Sequence, residues 1–506
     1  MKKITFFYFV SICCLCAQAQ SVTERLDSLF TAPGNFESLN GSVLIAENGK
    51  VIYQRSFGFA DVKEKKPNAV NRSFNIASVT KTFTSTAILQ LFEKGKFHLD
   101  DKYQKYFPSF PYPDITIRNL LTHTSGLTDL ETYFRILDSL PDKIFTDADI
   151  IPSIIHLHRA LKFKPGDDFE YCNINFELLA LLIEHLTNTS YPEYIRQHIF
   201  KPAGMVHSYF DVLRPATADT NRVTNYMLPA SYSSDYIPSD SVHNKRLTQV
   251  RRNLKNLMGD GNIISTEEDL LLYSEALSSG QLLSSTTLAK VFTPNRLNND
   301  KDYSAFSNPK MGKIQYGLGW EIPADTSCGK IVSHGGHYPG IWISFLRNIT
   351  RNQTIIVYDN NEWSGADLLA RMSVGILNNK PAANMLSRKM LARVYGQTLM
   401  KEGADAALSK LIELKDDTVH FILRERDMNT LGYQFLLDHL GSQSLETFKV
   451  NILLFPASSN ACDSYADALA ENNRKGDAII MYKKSILLDP KNTESIDKLK
   501  KLEEKH

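Results

Sequence analysis

The sequence predicts a mixed α/β domain of the α+β kind, its sheet closed by the two ends of one domain around a helical middle, with an all-helical region after it. Three observations carry this. Strand-type segments stand near residue 45 and again between 341 and 358. Between them an apolar helix pattern opens at Ser78, and Pro-rich loops alternate with helical segments from Tyr103 to Asp260. Past Lys380 only helical patterns remain. A chain of 506 residues exceeds what one hydrophobic core organises, so more than one domain is expected.

At the N-terminus, Met1-Lys2-Lys3 precedes an apolar run from Phe6 to Ala17 that is too short to span a bilayer and ends in Ala17-Gln18-Ala19. This predicts a signal peptide over residues 1–19 and a secreted protein, periplasmic or extracellular. Cys13 and Cys16 follow Ile12 and Leu15, not a small residue, so no lipid anchor is expected. No later stretch is long and apolar enough to span a membrane, and the mature protein is expected to be soluble. The 57 basic and 56 acidic side chains nearly cancel and no basic run occurs, which excludes a nucleic-acid binder and argues against a polyanionic substrate. Cys172, Cys328 and Cys462 are scattered and odd in number, giving no disulfide framework and no CxxC metal site. No metal or other cofactor is expected.

Within the first domain, taken as residues 22–380, Val43 to Ala46 and Val51 to Tyr53 flank Asn48-Gly49, a dipeptide suited to the positive φ that a two-residue hairpin turn needs. Val79, Phe83, Ala87, Ile88, Leu91 and Phe92 then recur at helical spacing until Gly95. Glu177 to Leu186 reads as another helix, Ile341 to Leu346 and Thr354 to Tyr358 as a strand pair, and Asp367 to Leu377 as the helix that follows. In the helical region, 381–506, Pro456 and Pro490 stand 34 residues apart, the period of the tetratricopeptide repeat. Registering that pattern on Pro456 places Leu431-Gly432, Phe435 and Phe448. Registering it on Pro490 places Tyr465-Ala466, Leu469, Ala478 and Tyr482. Two units over about 425–494 are predicted, capped by 386–416 and 493–503, with a protein partner as the expected ligand of the repeats.

The chemistry begins at Ser78-Val79-Thr80-Lys81. Other Ser-x-x-Lys tetrads occur, but Ser307 to Lys310 and Ser327 to Lys330 contain Pro or Gly where a helix is needed, and Ser495 to Lys498 lies in the helical tail. Only the first opens a strong apolar helix, where three-residue spacing puts the lysine on the serine's face one turn on. A serine hydroxyl needs a base within reach. Lysine serves if its pKa is lowered enough to leave it neutral; if it stays charged, it can instead depress a nearby tyrosine that takes the proton. Tyr171-Cys172-Asn173, after the turn Pro165-Gly166, supplies such a tyrosine; Tyr358-Asp359-Asn360 ends a strand with no loop around it. The third element is Ser333-His334-Gly335-Gly336-His337-Tyr338-Pro339-Gly340. Glycines on an edge strand let a substrate backbone lie close, and a backbone N–H there can complete an oxyanion hole with that of Ser78.

In this order, Ser78-x-x-Lys81, Tyr171-x-Asn173 and His334-Gly335-Gly336 resemble the motifs of class C β-lactamases and the related D-alanyl-D-alanine peptidases and esterases. The resemblance covers about residues 22–380 and extends to Leu120–Leu127, to Gly259–Leu270 and to Tyr316-Gly317-Leu318-Gly319-Trp320. It implies the β-lactamase/transpeptidase-like fold, an antiparallel sheet flanked by helices beside an all-helical lobe. It further implies a serine hydrolase with Ser78 as acylated nucleophile and Lys81 and Tyr171 sharing the proton transfers. Asn173 would hold the substrate amide, His334 and Gly336 would line the substrate strand, and the N–H groups of Ser78 and His337 would form the oxyanion hole. Histidine at 334, where many members place lysine, is expected to replace a fixed positive charge by a titrating one. Cys172 stands where serine is usual, and His123 is expected to be a structural hydrogen-bonder.

The resulting expectation is a D-Ala-D-Ala-type peptidase or β-lactamase acting on a small-molecule or peptide substrate, with a carboxylesterase or a non-catalytic penicillin-binding-like interaction protein as alternatives. Rivals of other kinds fail on the residues. His156 and His158, two apart on a predicted helix, face away from each other and make no metal site. No Gly-x-Ser-x-Gly exists, and His334-Gly335-Gly336 follows the nucleophile where an α/β-hydrolase oxyanion loop would precede it. Decay to a binding protein is opposed by the intact Ser78, Lys81 and Tyr171.

Overall fold

Asn48 and Gly49 both adopt left-handed backbone, with φ of 51° and 74°. This turn folds strand β1 (Gly41–Glu47) back on β2 (Lys50–Phe57) as predicted. The computed structural model describes residues 21–31, 39–214, 216–242, 244–306, 312–361, 365–380 and 388–504; the predicted signal peptide and Ser307 to Lys310 lie outside them. The other strands of the main sheet are β3 (Ile314–Tyr316), β4 (Glu321–Pro323), β5 (Ile331–Tyr338), β6 (Ile341–Asn348) and β7 (Gln353–Asp359). Their antiparallel order is β3-β4-β5-β6-β7-β1-β2. Gly41 of the first strand pairs with Asp359 of the last, so the two ends of the domain do close the sheet.

Side chains alternate across this sheet and fill two cores. Val43, Ile45, Leu346, Ile355 and Val357 face helices α1 (Val22–Thr31) and α5 (Ala366–Leu377). Leu44, Phe345 and Ile356 face the helical middle, which includes α2 (Thr80–Glu93), α3 (Ile174–Thr187) and α4 (Glu267–Ser278). Helix α2 is buried almost all round, and the hydroxyls of Thr82, Thr84 and Thr86 are hydrogen-bonded. The Thr84 hydroxyl bonds Tyr191 and the Gly259 carbonyl, and that of Thr86 bonds Tyr273.

One element differs from the sequence reading. The glycine-rich stretch 333–338 is part of the sheet's third strand and pairs with β6 along its whole length. With β4 it pairs only at Glu321–Ser333, because β4 is three residues long. Among the described residues, no strand pairs with β5 on that side from His334 to Gly336, although β5 is otherwise an interior strand.

After residue 388 the chain forms helices α6 (Leu391–Glu402), α7 (Ala404–Leu414), α8 (Glu425–Leu437), α9 (Gly441–Leu454), α10 (Ser459–Glu471), α11 (Lys475–Leu488) and α12 (Thr493–Glu503). Helix starts recur at 34 residues: Glu425, Ser459 and Thr493, then Gly441 and Lys475. Gly432 of α8 leaves room for the Phe448 ring of α9, a Cβ there meeting its Cζ at 2.6 Å. Ser495 and Lys498 bond Asp463, and Lys498 also bonds Asp467, so this late Ser-x-x-Lys ties α12 to α10. The tail is docked on the first domain: Tyr232 stacks on Phe435 at 4.5 Å, Ser231 donates to Gln434, and Gln397 donates to the Ser233 carbonyl.

Candidate active site

Ser78 sits in a one-turn 3₁₀ segment, Ala77–Val79, that feeds into α2. The turn is strained: Ala77 has φ of 45°, a left-handed conformation that a Cβ disfavours, and Asn75 Oδ1 holds it by accepting from the Ala77 N–H at 2.7 Å. One turn on, Lys81 is fully buried. Its Nζ donates to Ser78 Oγ at 3.0 Å, to Asn173 Oδ1 at 2.8 Å and to the Asp260 carbonyl at 3.0 Å. The Asp260 carboxylate stands 3.7 Å away. Three acceptors match the three protons of an ammonium. Burial works against that charge, but Tyr171, Asp260 and Asp129 outweigh it and hold Lys81 above the usual lysine range.

Tyr171 lies with its ring 5.1 Å from Lys81 Nζ, and its hydroxyl interacts with Ser78 and Lys81. Burial raises its pKa, against the pull of the Lys81 ammonium and the Ser78 bond, so the resting phenol is protonated at neutral pH. His123 supports the Tyr171 loop from behind. Its ring lies 4.2 Å from that of Tyr171, and its Nδ1 accepts from the Cys172 N–H at 3.1 Å, the structural role expected of it.

Asn173 is placed by Asp129, which accepts from the Asn173 backbone N–H at 2.6 Å and from Nδ2 at 2.9 Å. Its side-chain oxygen is thereby turned towards Lys81. The amide expected to hold substrate is spent, in this arrangement, on Lys81 and Asp129. Burial lifts Asp129 to about 6, with the Asn173 N–H opposing. Asp129 was invisible in the sequence, where no motif contains it. Asp260 was legible only as part of the Gly259–Leu270 landmark.

Ser78 and Tyr171 open onto a cleft of about 320 Å³ that runs along the free edge of β5, past His334, Gly335, Gly336 and His337. Gly336 brings this strand against the Ser78 turn, since a Cβ at 336 would lie 2.4 Å from the Ile76 carbonyl oxygen and 3.4 Å from Ala77 Cβ. His337 is exposed and its ring lies 4.8 Å from that of Trp342. The Tyr316–Trp320 landmark wedges in behind: Gly319 approaches Ser85 and Lys81, and Ser85 donates to the Leu318 carbonyl at 2.6 Å.

The family model described as Beta-lactamase matches residues 31–399. The chain belongs to the β-lactamase family, and is a serine hydrolase of its penicillin-binding kind. Penicillin-binding protein 4* of Bacillus subtilis is 34% identical over 68% of this chain and 73% of its own length. A solved penicillin-binding protein from Bacillus halodurans superposes with a TM-score of 0.55 at 26% identity, covering 70% of this chain and 98% of that one. The D-amino acid amidase of Ochrobactrum anthropi SV3 shares the fold, with a TM-score of 0.56 at 22% identity over 70% of this chain and 99% of that one.

Family membership makes the state of His334 informative, and here the structure corrects the expectation of a titrating charge. The imidazole is buried, its Nε2 pairs with the Tyr316 hydroxyl at 2.8 Å and its Nδ1 lies 2.7 Å from the Gly335 carbonyl. Burial, with the Lys81 charge, pushes its pKa down to about 3. The ring should therefore stay neutral from pH 8 to pH 5, and its ring-carbon NMR shift should not move over that range. A midpoint near 6.5 would overturn this. The linked stability change has the same sign: the unfolded chain takes up this proton near about 6.5, so its contribution is present above that pH and lost as pH falls towards 3.

Proposed function

We propose that the protein is an extracytoplasmic hydrolase that opens amide or ester bonds through an acyl-enzyme on Ser78, at the peptidase and esterase end of its family. One observation carries this: Ser78, a fully charged Lys81 and Tyr171 form a hydrogen-bonded unit on the wall of the cleft. Because Lys81 donates to Ser78 Oγ, the serine's own proton is left for Tyr171. As Ser78 Oγ bonds to the acyl carbon, Tyr171 takes that proton and passes its phenolic proton to the leaving amine or alkoxide. Water then enters by the reverse route and frees Ser78. The Ser78 and His337 N–H groups serve as oxyanion hole, a reading supported by the close approach that Gly336 permits. The Lys81 ammonium keeps the phenol's pKa from rising further, and Asn173 with Asp129 positions that ammonium.

A carboxylate-bearing β-lactam wants a fixed cation beside the substrate strand. The neutral His334 provides none, which favours simple amides and esters. A solved neighbour is a D-amino acid amidase, and another, EstCE1, is a hydrolase with promiscuous acyltransferase activity, both consistent with that end of the family. Secretion rests on the Met1–Ala19 pattern. A phosphonate probe without a carboxylate is expected to label Ser78, and Ser78→Ala to abolish labelling with an unchanged circular dichroism spectrum. Labelling that persists in the mutant would overturn the nucleophile.

The 34-residue recurrence of helix starts supports reading 425–494 as tetratricopeptide-like repeats that dock a protein partner. Among the described residues, none beyond Asp367 lines the cleft. A protein ending at Lys380 is therefore expected to keep Ser78 labelling and lose partner capture. Its Tm should drop by a few degrees, because Tyr232 loses its stacking on Phe435. Loss of labelling would make the tail part of the enzyme's own support.

A further inference from the structure

Two carboxylates line the same cleft as Ser78. Glu321 reaches it from β4 and Asp367 from the first turn of α5, with Trp342 beside them. Between them β5 carries Gly335, and the point where a side chain of residue 335 would begin lies 3.7 Å from both carboxylate oxygens of Asp367 and 3.9 Å from Glu321 Oε1. The two acids thus converge on a place that the sequence keeps free of side chain. Their protein partners are neutral donors: Ser333 Oγ at 2.9 Å and the Gly335 N–H at 3.3 Å for Glu321, and Trp342 Nε1 at 3.0 Å for Asp367.

Among the described residues no lysine or arginine forms an ion pair with either acid; Arg371, on the same helix as Asp367, acts on both at longer range. The charge of Lys81 is enclosed by its own acceptors, and His334 is neutral. Burial raises the Glu321 carboxyl, with Ser333, Arg371 and the Gly335 N–H opposing, and Arg371 offsets one of the two acidic charges, so this part of the cleft keeps a net negative charge of one when both acids are ionised. Two carboxylates this close to one point repel each other, and a cation between them relieves that repulsion. Burial and Glu321 lift Asp367 to about 6, so it is largely ionised at pH 7.5.

We infer that Glu321 and Asp367 form an ammonium subsite of the catalytic cleft, selecting small amides and esters that carry a primary ammonium near the reacting carbonyl. An ammonium over Gly335 would donate to both acids, while the acyl carbon lies towards Ser78 on the same strand edge. A carboxylate in that place would meet two like charges. This inference rests on the acyl-enzyme reading above and adds the substrate class to it.

The test compares the methyl esters of alanine, of both hands, with methyl isobutyrate, in which a methyl group replaces the ammonium. At pH 7.5 the wild-type protein is expected to prefer an alanine ester by tenfold or more in kcat/KM. Glu321→Gln and Asp367→Asn are each expected to reduce that ratio at least tenfold, chiefly through KM for the alanine ester. The wild-type ratio stands alone should a variant not fold. Hydrolysis of methyl isobutyrate with no preference for either alanine ester overturns the ammonium subsite and leaves Ser78 as nucleophile. A preference that survives in folded variants of both acids also overturns it. Failure to hydrolyse any of the esters, together with absent Ser78 labelling, overturns the acyl-enzyme reading itself.

Discussion

Lys81→Ala is expected to lower kcat/KM for a neutral ester by about 10⁴-fold, Tyr171→Phe by about 10³-fold, and the double variant by little more than Lys81→Ala alone. Non-additivity follows from the geometry. The Lys81 ammonium donates to Ser78 Oγ and faces the Tyr171 ring, so each residue conditions the proton that the other handles. Without the ammonium, only the Ser78 bond opposes the rise that burial imposes on the Tyr171 pKa; without the phenol, the Ser78 proton has no acceptor. Steady-state kinetics on the four proteins measures the coupling, and multiplicative losses would mean that the two act separately. Lys81→Ala also leaves Asp260 and Asp129 without their counter-charge, so thermal melts must accompany the rates.

Gly336→Ala is expected to lower kcat and kcat/KM together by about 10²- to 10³-fold while KM changes little. The added Cβ would lie 2.4 Å from the Ile76 carbonyl oxygen, and that oxygen belongs to backbone pinned by the Asn75 cap on Ala77. The strand and the turn must therefore part by roughly 0.6 Å or more, which misplaces the His337 N–H against that of Ser78. Gly375→Ala in α5 is the control. It meets nothing within 4 Å and should leave activity unchanged. Full activity in Gly336→Ala would remove β5 from the oxyanion hole.

Much of the site was legible because its chemistry is local in sequence. Ser78 and Lys81 are neighbours by helical spacing, and the burial of α2 follows from an apolar pattern that no surface helix would carry. Tyr171 and the His334-Gly335-Gly336 stretch became readable through their order along the chain. In the helical region, helix starts 34 residues apart have the spacing of Pro456 and Pro490.

The protonation and charge of the cleft were a different matter. His334 looked like a pH-sensitive cation because a sequence shows neither its burial nor the Tyr316 hydroxyl, which reaches it from two strands away. Asp129 and Glu321 stood in no motif, yet one sets Asn173 and the other joins Asp367 over Gly335, which only the sheet brings together. The sequence by itself determined the helix that Ser78 and Lys81 share and the hydrolase class, because these depend on side-chain spacing within single elements and on the order of motifs along the chain. Tertiary structure alone decided which charges face the substrate, because desolvation and Coulomb interaction depend on distances between residues far apart in the chain.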